Sequence, residues 1–223
     1  MGDRHAKDAL FDGFADVAKA LGNGRRVELV DILAQGERYV EELAGEIGQS
    51  VANTSHHLQV LAASGLVRTR RDGNRIYYRL KSDEVEQLWT ILRSVTRAHL
   101  DNLEELAAAY LGNRTSLEEI SRDELASRLD DGTLLVIDVR PAAEYAAGHI
   151  RGARSVPIDQ LSNLVHELPT SADIVAYCRG PYCVFADDAV RFLRRRRRNA
   201  RRLQDGFPEW RMSRLPIEAR LAS

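Results

Sequence analysis

Apolar residues recur at helical spacing through the first half of the chain. Leu10, Phe14, Val17 and Leu21 in "LFDGFADVAKALG" predict one helix, and Val27, Val30, Ile32 and Leu33 predict a second that ends at Gly36. "VEELAGEIG" predicts a short helix closed by Gly48. "SVANTSHHLQVLAASG" predicts another, opened by Ser50 as N-cap and closed by Gly65. The period then changes. "LVRTRRDGNRIYYRL" alternates on either side of "DGN", the pattern of a β-hairpin with a primed turn. From Ser82 to Leu111, Val85, Leu88, Leu92, Val95, Leu103 and Leu106 predict one long amphipathic helix. "GNRTS" breaks it. Beyond, "TLLVIDVR" and "DIVAYC" are continuous apolar runs of the kind buried on both faces of a parallel sheet. "SRDELASRL", "PAAEYAAG" and "VFADDAVRFLRR" supply the intervening helices.

These patterns predict two domains, and 223 residues are enough for two small cores. Residues 1–111 form a mainly α winged helix-turn-helix with a long final helix. Residues 112–117 form a linker, and residues 118–223 an α/β domain with a central parallel sheet.

Composition narrows the function classes. Hydrophobic residues are 44% and charged residues 29%, an ordinary balance for a globular chain. No apolar run approaches the ~20 residues that span a bilayer, and "MGDRHAKDALFDGF" lacks a signal-peptide core. The expectation is a cytoplasmic protein with no membrane partner. A net charge of −1 argues against a chain that is basic throughout. Locally, however, Arg68, Arg70, Arg71, Arg75, Arg79 and Lys81 face only Asp72. Such a patch binds phosphates whatever the global charge. A second run, Arg194 to Arg198 with Arg201 and Arg202, is read first as a solvated helix end, where cations suit the C-terminal dipole. Arginine dominates this chain, whose lysines are Lys7, Lys19 and Lys81.

Reading DNA sequence requires a helix that carries short polar side chains into the major groove. The helix opened by Ser50 offers Asn53, Thr54, Ser55, His56, His57 and Gln59, with Leu58 and Leu61 on its inner face. The hairpin adds Arg68, Arg70 and Arg75 as a wing along the backbone or minor groove. The competing reading makes one histidine a packing residue and the other an exposed one with no base contact. The segment from Ala15 to Leu80, above all "HHLQVLAASGLV" with "RDGNRIYYRL", resembles the DNA-binding core of ArsR-type transcriptional repressors. The resemblance implies a homodimer built on the first and last helices and bound to palindromic double-stranded operator DNA.

Metal sensing, common in repressors of that type, is not expected. "GERYVEELA" contains no cysteine, and Asp83 and His99 lack convergent nitrogen or sulfur partners. Neither a metal nor a cofactor is predicted, so any signal enters through the second domain.

There, "VIDVRPAAEYAAGHIRGARSVP" and "LQDGFPEWRMSRLPIE" resemble the N- and C-terminal signatures of rhodanese-like domains, over Ser116 to Ala219. "DIVAYCRGPYC" places Cys178 between a strand and a helix, where the resemblance implies a cysteine that becomes a persulfide. A thiol in a tight loop of Arg179, Gly180, Pro181 and Tyr182, facing a helix N-terminus, is expected to have a lowered pKa. The chain departs from thiosulfate-type rhodaneses at two loop positions. Cys183 stands where an arginine is usual, and Pro181 where a glycine is usual. Without that arginine, thiosulfate is a weaker candidate donor than sulfane sulfur or a low-molecular-weight thiol acting as donor or acceptor. Cys183 is read either as a resolving thiol for Cys178 or as a small residue on the helix's inner side. Asp138 and His149 are read as structural hydrogen-bonding positions.

The function expected is a DNA-binding transcriptional repressor that responds to reactive sulfur or redox state through Cys178. The alternative is a rhodanese-type sulfurtransferase forming a Cys178 persulfide, with the first domain serving localisation or autoregulation.

Overall fold

The computed structural model describes residues 2–219. The ends of both domain ranges drawn from the sequence, residue 1 and residues 220–223, lie outside the described residues. The chain divides into two compact units between Ala98 and His99.

The first unit runs α1 (Arg4–Leu21), α2 (Gly24–Leu33), β1 (Arg38–Tyr39), α3 (Val40–Glu46), α4 (Val51–Ala63), β2 (Val67–Asp72), β3 (Arg75–Leu80) and α5 (Asp83–His99). Its helices begin where the sequence offers caps. The Asn23 side chain accepts from the Arg25 and Arg26 amides, and the Ser50 hydroxyl from the Asn53 amide at 3.2 Å. The core gathers Leu29, Val30 and Leu33 of α2, Leu43 of α3, Leu58 and Leu61 of α4, and Tyr78 of β3. β2 and β3 pair antiparallel with Asp72 opposite Arg75, leaving Gly73 and Asn74 as the turn. Gly73 has φ 57°, the left-handed conformation that the first central position of a primed turn requires.

The single helix expected over Ser82–Leu111 is two helices. α5 ends at His99, and α6 (Leu103–Leu111) follows after a turn at Asp101 and Asn102. Aspartate and asparagine are poor helix formers that favour turns. Here they stop a helix whose apolar spacing continues. Glu104 and Glu105 then occupy the favoured acidic first turn of α6.

The second unit continues from α6 through β4 (Glu119–Ile120), α7 (Arg122–Arg128), β5 (Leu134–Asp138), α8 (Ala142–Ala147), β6 (His149–Ile150), β7 (Arg154–Ser155) and α9 (Leu161–Leu164). After a 3₁₀ turn come β8 (Asp173–Tyr177), α10 (Phe185–Arg195), β9 (Asn199–Leu203), α11 (Phe207–Met212) and β10 (Ile217–Glu218). Five strands form a parallel sheet in the order β4-β9-β8-β5-β7. The two apolar runs, β5 and β8, lie side by side within it, from Leu134 opposite Asp173 to Asp138 opposite Tyr177. One core cluster packs Ile137, Ile174 and Ala176 with Ala189, Val190 and Leu193 of α10. The other packs Val136, Val175 and Tyr177 with Phe207 and Trp210 of α11. A sheet sandwiched in this way presents its functional loops beyond the carboxyl ends of its strands, and Cys178 directly follows β8.

Candidate functional site

The described structure contains two places where chemistry or recognition can occur, one in each unit. In the first unit, α4 exposes Asn53, His56 and Gln59, with Ser55 partly exposed beside them. Thr54 and His57 do not belong with them. Thr54 is fully buried, and its hydroxyl donates to the Ser50 carbonyl at 3.0 Å. Its place in the helix turns the side chain inward, so it secures the helix start instead of reading bases. His57 is half-buried with Nδ1 enclosed. Burial first, then the positive field of Arg26 and its neighbours His56 and Arg25, hold its imidazole below the usual histidine range. Ser50 remains exposed but is used as the cap.

The wing carries most of its charge on one face, with Arg71 on the other. Tyr78 points into the core, so its cross-strand partner Thr69 shares that side, while Arg68, Arg70, Arg75 and Arg79 alternate onto the other. Arg68 lies directly opposite Arg79. Like charges so placed repel, and neither has an ion pair among the described residues. Arg70 is different. It grips Glu37 through Nη2 at 2.7 Å and Asp72 at 3.1 Å, and stacks on Tyr77. Arg75 lies over the Tyr39 ring. The sequence grouped Arg68, Arg70 and Arg75 together. Folding leaves Arg68 free and commits Arg70 to a carboxylate brought in from 33 residues away.

In the second unit, the loop from Cys178 to Val184 closes over the carboxyl end of β8. Cys178 is 1% exposed and Cys183 is partly exposed, and both are free thiols. The Cys178 sulfur lies 3.8 Å from the Gly180 carbonyl and 3.7 Å from the Cys183 carbonyl, both acceptors for its S–H. The lowered pKa expected of Cys178 is not what the fold produces. Burial, reinforced by the neighbouring Cys183, pushes the Cys178 thiol well above the ordinary cysteine range. Cys183 moves down, drawn first by the neighbouring Cys178 thiol and then by the main-chain amides of Phe185 and Arg179 and the Arg179 charge. The amide cradle anticipated around one sulfur is divided between two.

Arg179 itself is held in a two-pronged pair with the fully buried Glu144 of α8, with Nε–Oε1 at 3.0 Å and Nη2–Oε1 at 2.5 Å. The loop is pinned from the far side by the turn after β9. The Phe207 amide donates to the Cys178 carbonyl at 3.0 Å, and a Cβ on Gly206 would sit 2.2 Å from the Gly180 nitrogen. Gly180 is buried in this contact, while Pro181 and Tyr182 form the half-exposed rim. Asp138 and His149 are fixed elsewhere. Asp138 takes Arg140 at 2.5 Å and the Tyr177 hydroxyl at 2.6 Å, all fully buried, and the His149 ring stacks on Tyr145 at 3.7 Å.

One participant had no signal in the sequence. Arg114, between α6 and β4, donates to the Pro181 carbonyl at 2.7 Å and the Cys183 carbonyl at 3.4 Å, and pairs with the buried Asp187 of α10. In return, Arg191 of α10 donates to the Asn113 carbonyl at 3.0 Å, and Arg194 donates to the Ser116 carbonyl at 2.8 Å. Of the arginine run, Arg195, Arg196 and Arg197 are exposed, while other members are occupied within the unit. Arg198 donates to the Leu168 carbonyl, Arg201 pairs with Asp173, and Arg202 pairs with Glu119.

Two family models match the chain. Residues 23–69 match the bacterial regulatory proteins of the arsR family, and residues 121–213 match the rhodanese-like domain. The chain is 45% identical over 217 residues to the HTH-type transcriptional regulator Rv0324 of Mycobacterium tuberculosis, covering 97% of this chain and 95% of that one. This chain belongs to the arsR family of transcriptional regulators and carries a rhodanese-like domain. Among solved structures, the regulator is similar to the homodimeric winged helix-turn-helix DNA-binding domain Mb0332 of Mycobacterium bovis. The identity is 43%, covering 46% of this chain and 94% of that one, with a TM-score of 0.43. It is also similar to the rhodanese-like domain of Alr3790 from Anabaena, at 30% identity over 45% of this chain and 78% of that one, with a TM-score of 0.41. The regulator is a DNA-binding transcriptional repressor. No helix among its described residues is long and apolar enough to cross a membrane.

Proposed function

We propose that this repressor binds operator DNA as a homodimer and that the sulfur or redox state of the Cys178–Cys183 pair sets its operator affinity. The observation that carries the reading is Arg114. A signal made in the cysteine loop must reach the chain that leads to the DNA-binding unit. Arg114 belongs to that chain and is hydrogen-bonded to two carbonyls of the loop. A disulfide formed between the two sulfurs that moves those carbonyls pulls on the linker. The α10 arginines, which hold the linker's own carbonyls, keep it from absorbing the movement as slack.

Allosteric couplings of about 1–3 kcal/mol change affinity roughly 5- to 150-fold. Operator titrations with and without a polysulfide donor are expected to differ within that range for the wild type and not for Cys178→Ser. Arg114→Ala is expected to take up sulfur normally by mass spectrometry while losing most of the difference in operator affinity. Unchanged wild-type binding after confirmed thiol modification would overturn the reading.

Dimerisation is supported by apolar faces that a lone unit leaves in water. Leu10, Phe11 and Phe14 of α1 and Leu88, Ile91 and Val95 of α5 are all exposed, Phe14 by 64%. Phe14→Asp with Ile91→Asp is expected to give a monomer by sedimentation and to lose operator binding, because the two half-sites are then held independently. An unchanged dimer would place the interface elsewhere.

A further inference from the structure

We infer that Cys183, not Cys178, is the thiol at which sulfur enters the loop, and that Cys178 acts second, on the sulfur that Cys183 has accepted. This rests on reading the loop as a sulfur-reactive centre and assigns the order of events within it. The argument is one of access and partners. Cys178 is sealed, with 1% of its surface exposed, its S–H directed at the Gly180 and Cys183 carbonyls, and its own carbonyl held by Phe207. A donor molecule cannot reach that sulfur without opening the loop, and Gly206, packed against Gly180, opposes such opening. Cys183 lies on the partly exposed rim with Pro181 and Tyr182. The neighbouring Cys178 thiol, then the main-chain amides of Phe185 and Arg179 and the Arg179 charge, draw the Cys183 thiol below the ordinary cysteine range. The Cys178 sulfur, 3.7 Å from the Cys183 carbonyl, lies beside whatever Cys183 acquires.

The chemistry balances with a persulfide donor, R–S–SH, and no other oxidant. The Cys183 thiolate attacks the outer sulfur of the donor. A new S–S bond forms at Cys183, the donor's S–S bond breaks, and R–S⁻ leaves to take a proton from water. Cys178 then attacks the inner sulfur of the Cys183 persulfide. A Cys178–Cys183 disulfide forms, and the outer sulfur leaves as HS⁻, which takes the proton that Cys178 gives up and departs as hydrogen sulfide. The two thiols are oxidised, and the donor's sulfane sulfur is reduced to sulfide. The arginine that usually stands at this loop position would bind an anionic donor; a thiol there accepts the sulfur itself.

The test uses the full-length folded protein and glutathione persulfide, with trypsin cutting after Arg179 so that the two cysteines fall in separate peptides. Wild type is expected to pass through an added sulfur on Cys183 to the intramolecular disulfide, with sulfide released. Cys178→Ser is expected to stop at the Cys183 persulfide. Cys183→Ser is expected to react roughly tenfold more slowly or less, since its remaining thiol is buried and loses its partner. Independently of any substituted variant, substoichiometric iodoacetamide on wild type is expected to label the Cys183 peptide first. That labelling should rise at lower pH than for a free cysteine, following the direction in which Cys183 is shifted. First labelling or first sulfur addition on Cys178, or Cys183→Ser reacting at the wild-type rate, would overturn the order alone. Failure of either thiol to take sulfur would overturn the sulfur-reactive reading with it.

Discussion

Gly206→Ala is expected to lower the unfolding temperature of the second unit by about 15 °C and to make Cys178 titratable by a thiol reagent in the native protein. The alanine Cβ would lie 2.2 Å from the Gly180 nitrogen and 2.4 Å from both the Arg179 carbonyl carbon and the Gly180 Cα. All three are backbone atoms, so no side chain can swing aside. Either the turn after β9 or the cysteine loop has to move. Overpacking of this kind costs up to about 3 kcal/mol where relaxation is poor, and in a unit of this size each kcal/mol shifts the midpoint by about 4–5 °C. The loop's anchor, the Phe207 amide on the Cys178 carbonyl, is adjacent to the substituted residue and is lost with it. Calorimetry on the variant, read at the transition belonging to the second unit, supplies the first number. Timed thiol titration supplies the second. A fully stable variant with Cys178 still protected would show that the two loops do not hold each other.

Asp138→Ala is expected to destabilise the same unit by about 3–5 kcal/mol, the usual cost of leaving one member of a buried pair without its partner. Arg140 would then keep a guanidinium with no exposed surface, its Asp138 bonds at 3.0 and 2.5 Å gone while the Gly148 carbonyl at 2.7 Å still accepts from it. The Tyr177 hydroxyl would lose its acceptor at the same time. The effect is separable from simple loss of packing. Replacing both Asp138 and Arg140 by apolar residues of similar volume removes the charge that needs solvating, and the double variant is expected to be markedly more stable than Asp138→Ala. Urea unfolding of the three proteins makes the comparison. If the single and double variants fall equally, the pair contributes by shape alone. This network lies behind the sheet's carboxyl edge, so its loss is expected to blur the cysteine loop without touching the chemistry of either thiol.

Much of this regulator was readable along the chain because it depends on neighbours a few residues apart. The helical period of Val27 to Leu33, the Ser50 cap and the alternation across Gly73 are local facts with local causes. The uniformly apolar β5 and β8 could only be strands covered on both sides, which placed Cys178 at a strand's carboxyl end. The same local reasoning failed where apolar spacing ran through Asp101 and Asn102. There the periodicity of the side chains continued, but the backbone preferences of two short polar residues ended the helix.

What the sequence determined by itself was the kind of molecule: a helix-and-wing DNA binder followed by a parallel α/β domain with two cysteines in a strand-to-helix loop. What the tertiary structure alone decided was the state and role of individual groups. Thr54 is a packing residue, Arg70 is tied to Glu37, Cys178 is sealed while Cys183 stays partly exposed, and Arg114 is the linker's hold on the loop. Each depends on desolvation or on an ion pair or hydrogen bond between segments far apart in the chain. Burial and charge at a point in space are summed over everything that folding brings there, and no window of sequence contains that sum.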